Sequence, residues 1–461
     1  MDTSAPIDGA FDTGSFRDPA SRVFHRGGDV YRMLSPEGLA DWRALQASTP
    51  FTSWVGSGRL IGTEEVDLDG AITLRHERVP FWTYPYEWTF SMLKDAALLH
   101  LDLLEESLSN GLTMKDATPF NVQFVGTRPT FVDVGSFAAY ETGEPWLGYR
   151  QFCRQFLFPL MLRAHAGVDF GPMLRGSLDG VPVGLARQIL RGRRTLKPGV
   201  LADVVLQAKA ERSLTASKRN VRSELSQAGF NSDLILANVR RLRKVVSKTQ
   251  WTPAASAWSE YADCTHVGTQ RGPKEQFVRR VASARHRRLV WDLGANDAHF
   301  SRAVAADAET VVAVDGDHET VEAVYRGLRD GGPPNVTPMV MDLGDPSPGL
   351  GWRGRERASL ESRGGPDLVL MLAVIHHLVI GSNLPLVEVL DWVASLQSEV
   401  VFEWVPIEDP MSQRLMANKR RTEVHADYTE EHLRRYLADR FSIEDEMEFE
   451  GRRLLHLVPL T

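Results

Sequence analysis

The sequence predicts an α/β protein, with a C-terminal doubly wound, Rossmann-like sheet preceded by an α+β, mainly helical region. Three observations carry that prediction. The chain has 461 residues, more than a single hydrophobic core of about 250–300 residues serves, so two domains are expected. From about residue 288 onward, short runs rich in β-branched residues alternate with polar or amphipathic stretches, the rhythm of parallel strands joined by crossover helices. Before that point the pattern is one long helical period, a short hairpin and then mostly helix.

Composition narrows the function classes. Hydrophobic residues make up 43% and charged residues 25% of the chain, which is ordinary globular usage, and no apolar run reaches the roughly 18–20 residues that span a bilayer. The formal net charge of -7 argues against a broad nucleic-acid surface, which is basic over at least one domain. Neither membrane nor nucleic acid is expected as a partner, and the oligomeric state is left open. The opening MDTSAPIDGAFDTGSFRDPA is acidic and rich in small residues, without the basic and apolar regions of a signal peptide, so a cytoplasmic location is expected. Cys153 and Cys264 are the two cysteines, too few for a disulfide framework and without neighbours at metal-ligand spacing. No metal site is expected.

Taken in order, residues 1–20 lack periodicity and are expected to be disordered. RVFHRGGDVYRML and AITLRHERVPFW then suggest a small mixed α/β region. FSMLKDAALLHLDLLEESL, 90–108, sets Leu93, Ala97, Leu101, Leu104 and Leu108 on one helical face and stops at Asn110-Gly111, a helix-ending pair. VQFVGTRPTFVDV, 122–134, reads as a hairpin. Residues 149–250 look mostly helical and include the basic VRRLRKVVSKTQ, 239–250, read as a solvated helix face rather than a nucleic-acid patch. The boundaries predicted are 21–200 for the N-terminal domain, 201–265 for a helical linker and 266–461 for the C-terminal domain.

Five apolar runs follow: LVWDL, TVVAVD, VTPMVMD, DLVLMLAVI and EVVFEWV. FSIEDEMEF and RRLLHLVPL add an antiparallel pair at one edge. In a doubly wound sheet, ligands bind beyond the carboxyl ends of the strands. Those ends carry Asp292 before a turn at Gly294, Asp315, Asp342 and the pair His376-His377. A carboxylate at Asp315, 21 residues after Gly294, can accept both hydroxyls of a ribose, and one at Asp342 can bond an exocyclic amine of a base. A pyrophosphate-binding dehydrogenase wants glycines at 294, 296 and 299, whereas this chain has Gly294, Asn296 and His299. Asp297 faces the same loop and repels a dianionic phosphate. A cofactor with a ribose and base but no phosphate suits the loop better.

These residues resemble class I S-adenosylmethionine-dependent methyltransferases. DLGAN is similar to their first glycine-rich motif, VAVDGD to the acidic ribose loop and MVMD to the adenine-contacting strand end. More narrowly, DPSPGLGW (345–352), AVIHHL (373–378) and DYT (427–429) resemble a bacterial, nodulation-protein-like group of methyltransferase-like proteins, over most of the chain. The sequence departs from that group at Asp297 and Ala298, where the group has Thr-Gly. The resemblance implies S-adenosylmethionine as cofactor, with Asp292 and Gly294 flanking its methionine part, Asp315 on the ribose and Asp342 on the adenine. Ala295, Asn296 and Leu343 complete the implied cofactor-binding set. Methyl transfer from a sulfonium needs alignment and, for a hydroxyl nucleophile, removal of a proton. His376 and His377 are candidates for that base, since imidazole titrates near neutral pH, and Glu403 at the end of the fifth run is a third. The histidine pair also has a plain structural reading, as a helix cap or a pocket wall.

In the N-terminal half, Asp116, Asn121 and Asp133 have the spacing of the base and magnesium ligands of kinases. DVGS (133–136) resembles their Asp-Phe-Gly element and YPYEW (84–88) their hinge. Met114-Lys115 replaces the usual His-Arg, RGGDV at 26–30 is a poor glycine-rich loop, and no strand lysine is evident. The preferred reading is a kinase-like fold kept as a scaffold or substrate-recognition module. The function expected is methyl transfer to a small-molecule or carbohydrate-type acceptor. The alternatives are an ATP-dependent phosphotransferase working through Asp116, Asn121 and Asp133, and a regulatory protein that binds S-adenosylmethionine without turnover, suggested by Asp297-Ala298.

Overall fold

The computed structural model describes residues 10–209, 232–252, 266–417, 419–420 and 425–460. The chain divides into a first unit of residues 1–124, 128–252 and 350–357 and a second of residues 125–127, 253–349 and 358–461.

The first unit begins with strands β1 (Ala10–Phe11), β2 (Ser21–Arg26), β3 (Asp29–Leu34), β4 (Thr63–Leu68) and β5 (Ala71–His76). They form an antiparallel sheet in the order β1-β2-β3-β5-β4. Gly27 and Gly28, with φ of 60° and 90°, make the tight β2–β3 turn, which residues with a Cβ enter only at a cost. Helices α1 (Pro36–Gln46) and α2 (Phe51–Gly56) lie between β3 and β4 in sequence. Helix α3 (Phe90–Ser109) is capped by Thr89, whose side chain accepts from Met92 N, and it buries the predicted leucine face. After it come β6 (Leu112–Met114), the hairpin β7 (Val122–Val125) and β8 (Arg128–Phe131), and β9 (Phe137–Ala139), which pairs with β6.

Two expectations need correction here. Ala10–Phe11 pairs with β2, so order begins within the stretch expected to be disordered, while residues 1–9 lie outside the described residues. The expected linker 201–265 is no linker where it is described. Its helix α4 (Ser232–Lys248) buries Ile235, Val239, Leu242 and Val246, and Arg240 pairs with Glu105 of α3 at 2.7 Å. Arg243 pairs with Asp102 of the same helix. The alternation of Arg and Lys with Val and Leu is therefore the pattern of a helix packed and ion-paired on α3.

In the second unit, helix α5 (His266–Ser283) precedes β10 (Arg287–Leu293), α6 (His299–Val304), β11 (Ala308–Asp315), α7 (His318–Arg329) and β12 (Val336–Val340). Then follow β13 (Leu368–Met371), α8 (Leu386–Ser395), β14 (Glu399–Trp404), α9 (Pro410–Met416), α10 (Glu430–Ala438), β15 (Phe441–Phe449) and β16 (Arg452–Pro459). The sheet order is β12-β11-β10-β13-β14-β16-β15. β10 to β14 pair in parallel, β16 runs antiparallel to β14, and β15 runs antiparallel to β16. Val290, Val311, Leu368 and Val401, one from each of four neighbouring strands, share a buried core with Phe277 and Val278 of α5. Sequence order reverses between β10 and β13, and a doubly wound sheet opens its ligand crevice at such a reversal.

Candidate cofactor and acceptor cleft

A cleft of about 480 Å³ lies at that reversal, within the size range of small-molecule sites. Gly294, Asn296 and Ala298 all have positive φ, at 76°, 46° and 55°, so the chain leaving β10 curls through a left-handed turn. The N–H groups of Gly294 and Ala295 both donate to Val314 O at 2.8 Å, which holds the turn against β11. A Cβ at Gly294 would stand 2.3 Å from Val374 Cγ2, so glycine is required on steric as well as conformational grounds. Ala298 is fully buried, its methyl in the core shared with α5, and it is not part of the cleft wall.

Asp292, Gly294, Ala295, Asn296, Asp315, Asp342 and Leu343 all line the cleft, so the proposed cofactor-binding set is brought together in one place. Asp292 is 2% exposed and accepts a 2.5 Å bond from Ser301 Oγ. Burial pushes its carboxyl up to about 7, against the pull of the Ser301 bond. Asp315 accepts from Asn296 N through Oδ2 and from Asp317 N through Oδ1, both at 2.9 Å. Burial raises its pKa, with those backbone donors opposing. Asp342 is exposed at the mouth and its Oδ1 accepts from Gly344 N at 2.8 Å.

The three base candidates part company. His377 lines the cleft, whereas His376 and Glu403 do not. The two histidine rings are 4.1 Å apart, but His376 is fully buried and, among the described residues, neither of its ring nitrogens has a hydrogen-bond partner. Burial, assisted by the charge of Arg452, holds His377 down at about 4, so it is neutral at neutral pH. Glu403 is fully buried, with Lys274 Nζ at 2.7 and 2.8 Å and Arg452 Nη1 at 3.1 Å. With both oxygens taken up by Lys274 and Arg452 and no place in the cleft wall, Glu403 fits a structural anchor better than a base. His376, buried and outside the cleft wall, likewise fits a packing role better than a base.

The cleft also contains residues that sequence reasoning missed. Lys274 and Arg452 form part of its wall, as does His299, whose Nε2 is 2.9 Å from Glu275 Oε2. Among the described residues, no group of three or more His, Cys, Asp or Glu side chains is placed to hold a metal ion. No described helix is long and apolar enough to cross a membrane.

In the first unit, Asn121 and Asp133 do meet. Asn121 Nδ2 is 3.3 Å from Asp133 Oδ2 and 2.9 Å from Ser136 Oγ. Ser136 donates to the same Asp133 oxygen at 2.6 Å, and Arg32 of β3 pairs with Oδ1 at 2.8 Å. Burial opposes ionisation of Asp133, yet Arg32 and Ser136 hold its pKa below the ordinary value. Burial, and next the nearby Asp133 charge, raise the pKa of Asp116. No spacing rule points to Arg32, because the kinase pattern calls for a strand lysine.

Fold and cleft define a class: a Rossmann-like α/β domain with an open crevice at the carboxyl ends of its parallel strands. Among known proteins, the chain is 34% identical over 430 residues to nodulation protein NoeA of Rhizobium meliloti (strain 1021), an alignment covering 91% of this chain and 89% of that one. The chain belongs to the NoeA nodulation-protein family. No family model matches it. Solved structures similar in part include the N-methyltransferase NodS from Bradyrhizobium japonicum WM9 in complex with S-adenosyl-L-homocysteine, at TM-score 0.30 and 10% identity over 41% of this chain and 86% of that one. Magnesium protoporphyrin IX methyltransferase (ChlM) from Synechocystis PCC 6803 with bound S-adenosylhomocysteine aligns at TM-score 0.29 and 18% identity, over 45% and 90% of the two chains.

Proposed function

We propose that the C-terminal unit is an S-adenosylmethionine-dependent methyltransferase acting on a hydroxyl, amine or carboxyl group of a small-molecule or carbohydrate-type acceptor. The observation that carries this reading is the set of carboxylates from three successive strand ends, Asp292, Asp315 and Asp342, along one cleft beside the left-handed turn at Gly294. The cofactor's groups suit that lining. Its ribose diol fits Asp315, whose oxygens are already oriented by backbone N–H groups and keep further lone pairs for two hydroxyls. Its adenine amine fits Asp342 and Leu343, and its methionine part fits Asp292, Gly294, Ala295 and Asn296. Asp297 in the same wall disfavours a phosphate-bearing cofactor.

Bound there, the cofactor supplies a methyl group already activated toward in-line displacement. The chain's own residues supply alignment, a dry wall and a proton acceptor. Phe300, Leu372, Val374, Leu378 and Leu415 contribute apolar lining. His377, kept neutral by burial and Arg452, is the residue we assign to take the proton of the acceptor.

The first unit is proposed as a kinase-like scaffold or substrate-recognition module. Both Asp133 oxygens are taken up by Arg32, Asn121 and Ser136, which favours a structural role for the Asp116, Asn121 and Asp133 set over phosphotransfer. Calorimetry with S-adenosylhomocysteine and with ATP tests the assignment. Binding of the first is expected, and binding of ATP without the first would overturn it.

A further inference from the structure

Lys274 of α5 and Arg452 of β16 are buried cations, each with a side chain 9% exposed, and both form part of the cleft wall. The carboxylates that hold them, Glu403 and Asp409, are not part of that wall. Glu403 takes two contacts from Lys274 Nζ and one from Arg452 Nη1, and Asp409 takes Arg452 Nε at 2.7 Å. An ammonium offers three N–H donors and a guanidinium five. Among the described residues no acceptor meets Arg452 Nη2, nor a third Lys274 donor.

The network as a whole is balanced in charge, two cations against two carboxylates, which makes its burial tolerable. The balance is not uniform in space. The anionic members sit behind, and the cationic members face the cleft. The nucleoside part of the same cleft has the opposite character, with Asp315, Asp317 and Asp342. Rigidly held, partly desolvated charged donors are what a carboxylate binds best, because the donors need no reorganisation and the bonds are charge-assisted. A dianionic phosphate is a poorer match, since Asp292 and Asp297 share the cleft.

Resting on the methyltransferase reading, we propose that Lys274 and Arg452 form a carboxylate-binding subsite in the wall of the cleft. The carboxylate has two available sources: the amino-acid end of the cofactor, or an acidic acceptor. The test compares wild type with the double variant K274M/E403Q, which removes the ammonium without leaving Glu403 as a buried, under-paired charge. Calorimetry is run with S-adenosylhomocysteine and with 5′-methylthioadenosine, which has the same nucleoside and thioether but no amino-acid group.

If the cofactor is the source, the variant binds S-adenosylhomocysteine about 10- to 100-fold more weakly, the loss expected of a charged hydrogen bond, and binds methylthioadenosine as wild type does. If an acidic acceptor is the source, both nucleosides bind unchanged. Wild type loaded with S-adenosylhomocysteine then binds glucuronate in preference to glucose, and the variant loses that preference. Equal losses for both nucleosides, or no change in any of these measurements, overturn the subsite. Failure of wild type to bind either nucleoside is a different result: it removes the methyltransferase reading, and the subsite with it.

Discussion

Replacing Asp292 by Asn should change the pH dependence of stability in a way that reports how the cleft is built. Asp292 is 2% exposed, its side chain accepts from Ser301, and burial raises its pKa from 3.8 to about 7. Below pH 3.8 the folded and unfolded chains both hold the proton, and no penalty arises. Between the two values the unfolded chain has released a proton that the folded chain keeps. Stability then falls by about 1.4 kcal/mol per pH unit until both forms are ionised. The wild type should therefore lose about 3 kcal/mol from this group between pH 5 and pH 8. The amide in D292N has no titrating proton and still offers an oxygen to Ser301. Urea unfolding of both proteins at the two pH values gives the difference, in which titrating groups not coupled to Asp292 cancel. D292N should gain about 3 kcal/mol on wild type over that interval; a gap that does not change with pH refutes the raised pKa. There is a functional corollary. A cationic ammonium bound beside Asp292 would lower its pKa, so S-adenosylhomocysteine binding near pH 6.5 should release protons, seen as a dependence of calorimetric heat on buffer ionisation enthalpy.

Three further outcomes follow from the same cleft. Gly294→Ala carries a left-handed backbone cost of about 1–2 kcal/mol and an overpacking cost of about 1–3 kcal/mol against Val374. In a Val374→Ala background the nearest remaining Val374 atom is 3.6 Å away, so a double-mutant cycle by chemical denaturation should show coupling of about 1–3 kcal/mol; additive effects would contradict the contact. Asp315→Ala should weaken S-adenosylhomocysteine by about 1–3 kcal/mol, and unchanged affinity by calorimetry would remove Asp315 from the ribose. His377→Ala should lower turnover about 10²- to 10⁴-fold with cofactor affinity kept. Because His377 is held at about 4, wild-type kcat/KM should fall only as pH drops through that value, and an inflection near 6.5 would argue against His377 as the base.

What could be read from sequence, and what could not, divides along a physical line. Strands β10 to β14 are buried along most of their length and so appear as near-continuous apolar runs. A carboxylate that ends such a run stands out, which is why Asp292, Asp315 and Asp342 can be singled out without coordinates. Lys274, the Glu403–Asp409 segment and Arg452 come from three separate parts of the chain, and no spacing rule joins them. Arg32 and Asp133 are hidden in the same way, since a pair between β3 and the segment after β8 leaves no local pattern. Neighbouring residues present a related difficulty: His376 and His377 are equivalent in the sequence, yet one is sealed in the core and the other forms the cleft wall.

Ala298 shows how a motif can mislead about where a substitution acts. Its place in DLGANDA suggests a methyl group against the cofactor, and that methyl is part of the ground for considering a protein that binds without turnover. With φ of 55° and its methyl in the core, Ala298 carries a backbone cost of about 1–2 kcal/mol and presents no methyl to the cleft. The consequence of having Ala where the related group has Gly therefore belongs to folding stability. Under the proposed function, cofactor affinity is left to Asp297, which does line the cleft, and to the carboxylates and cations around it.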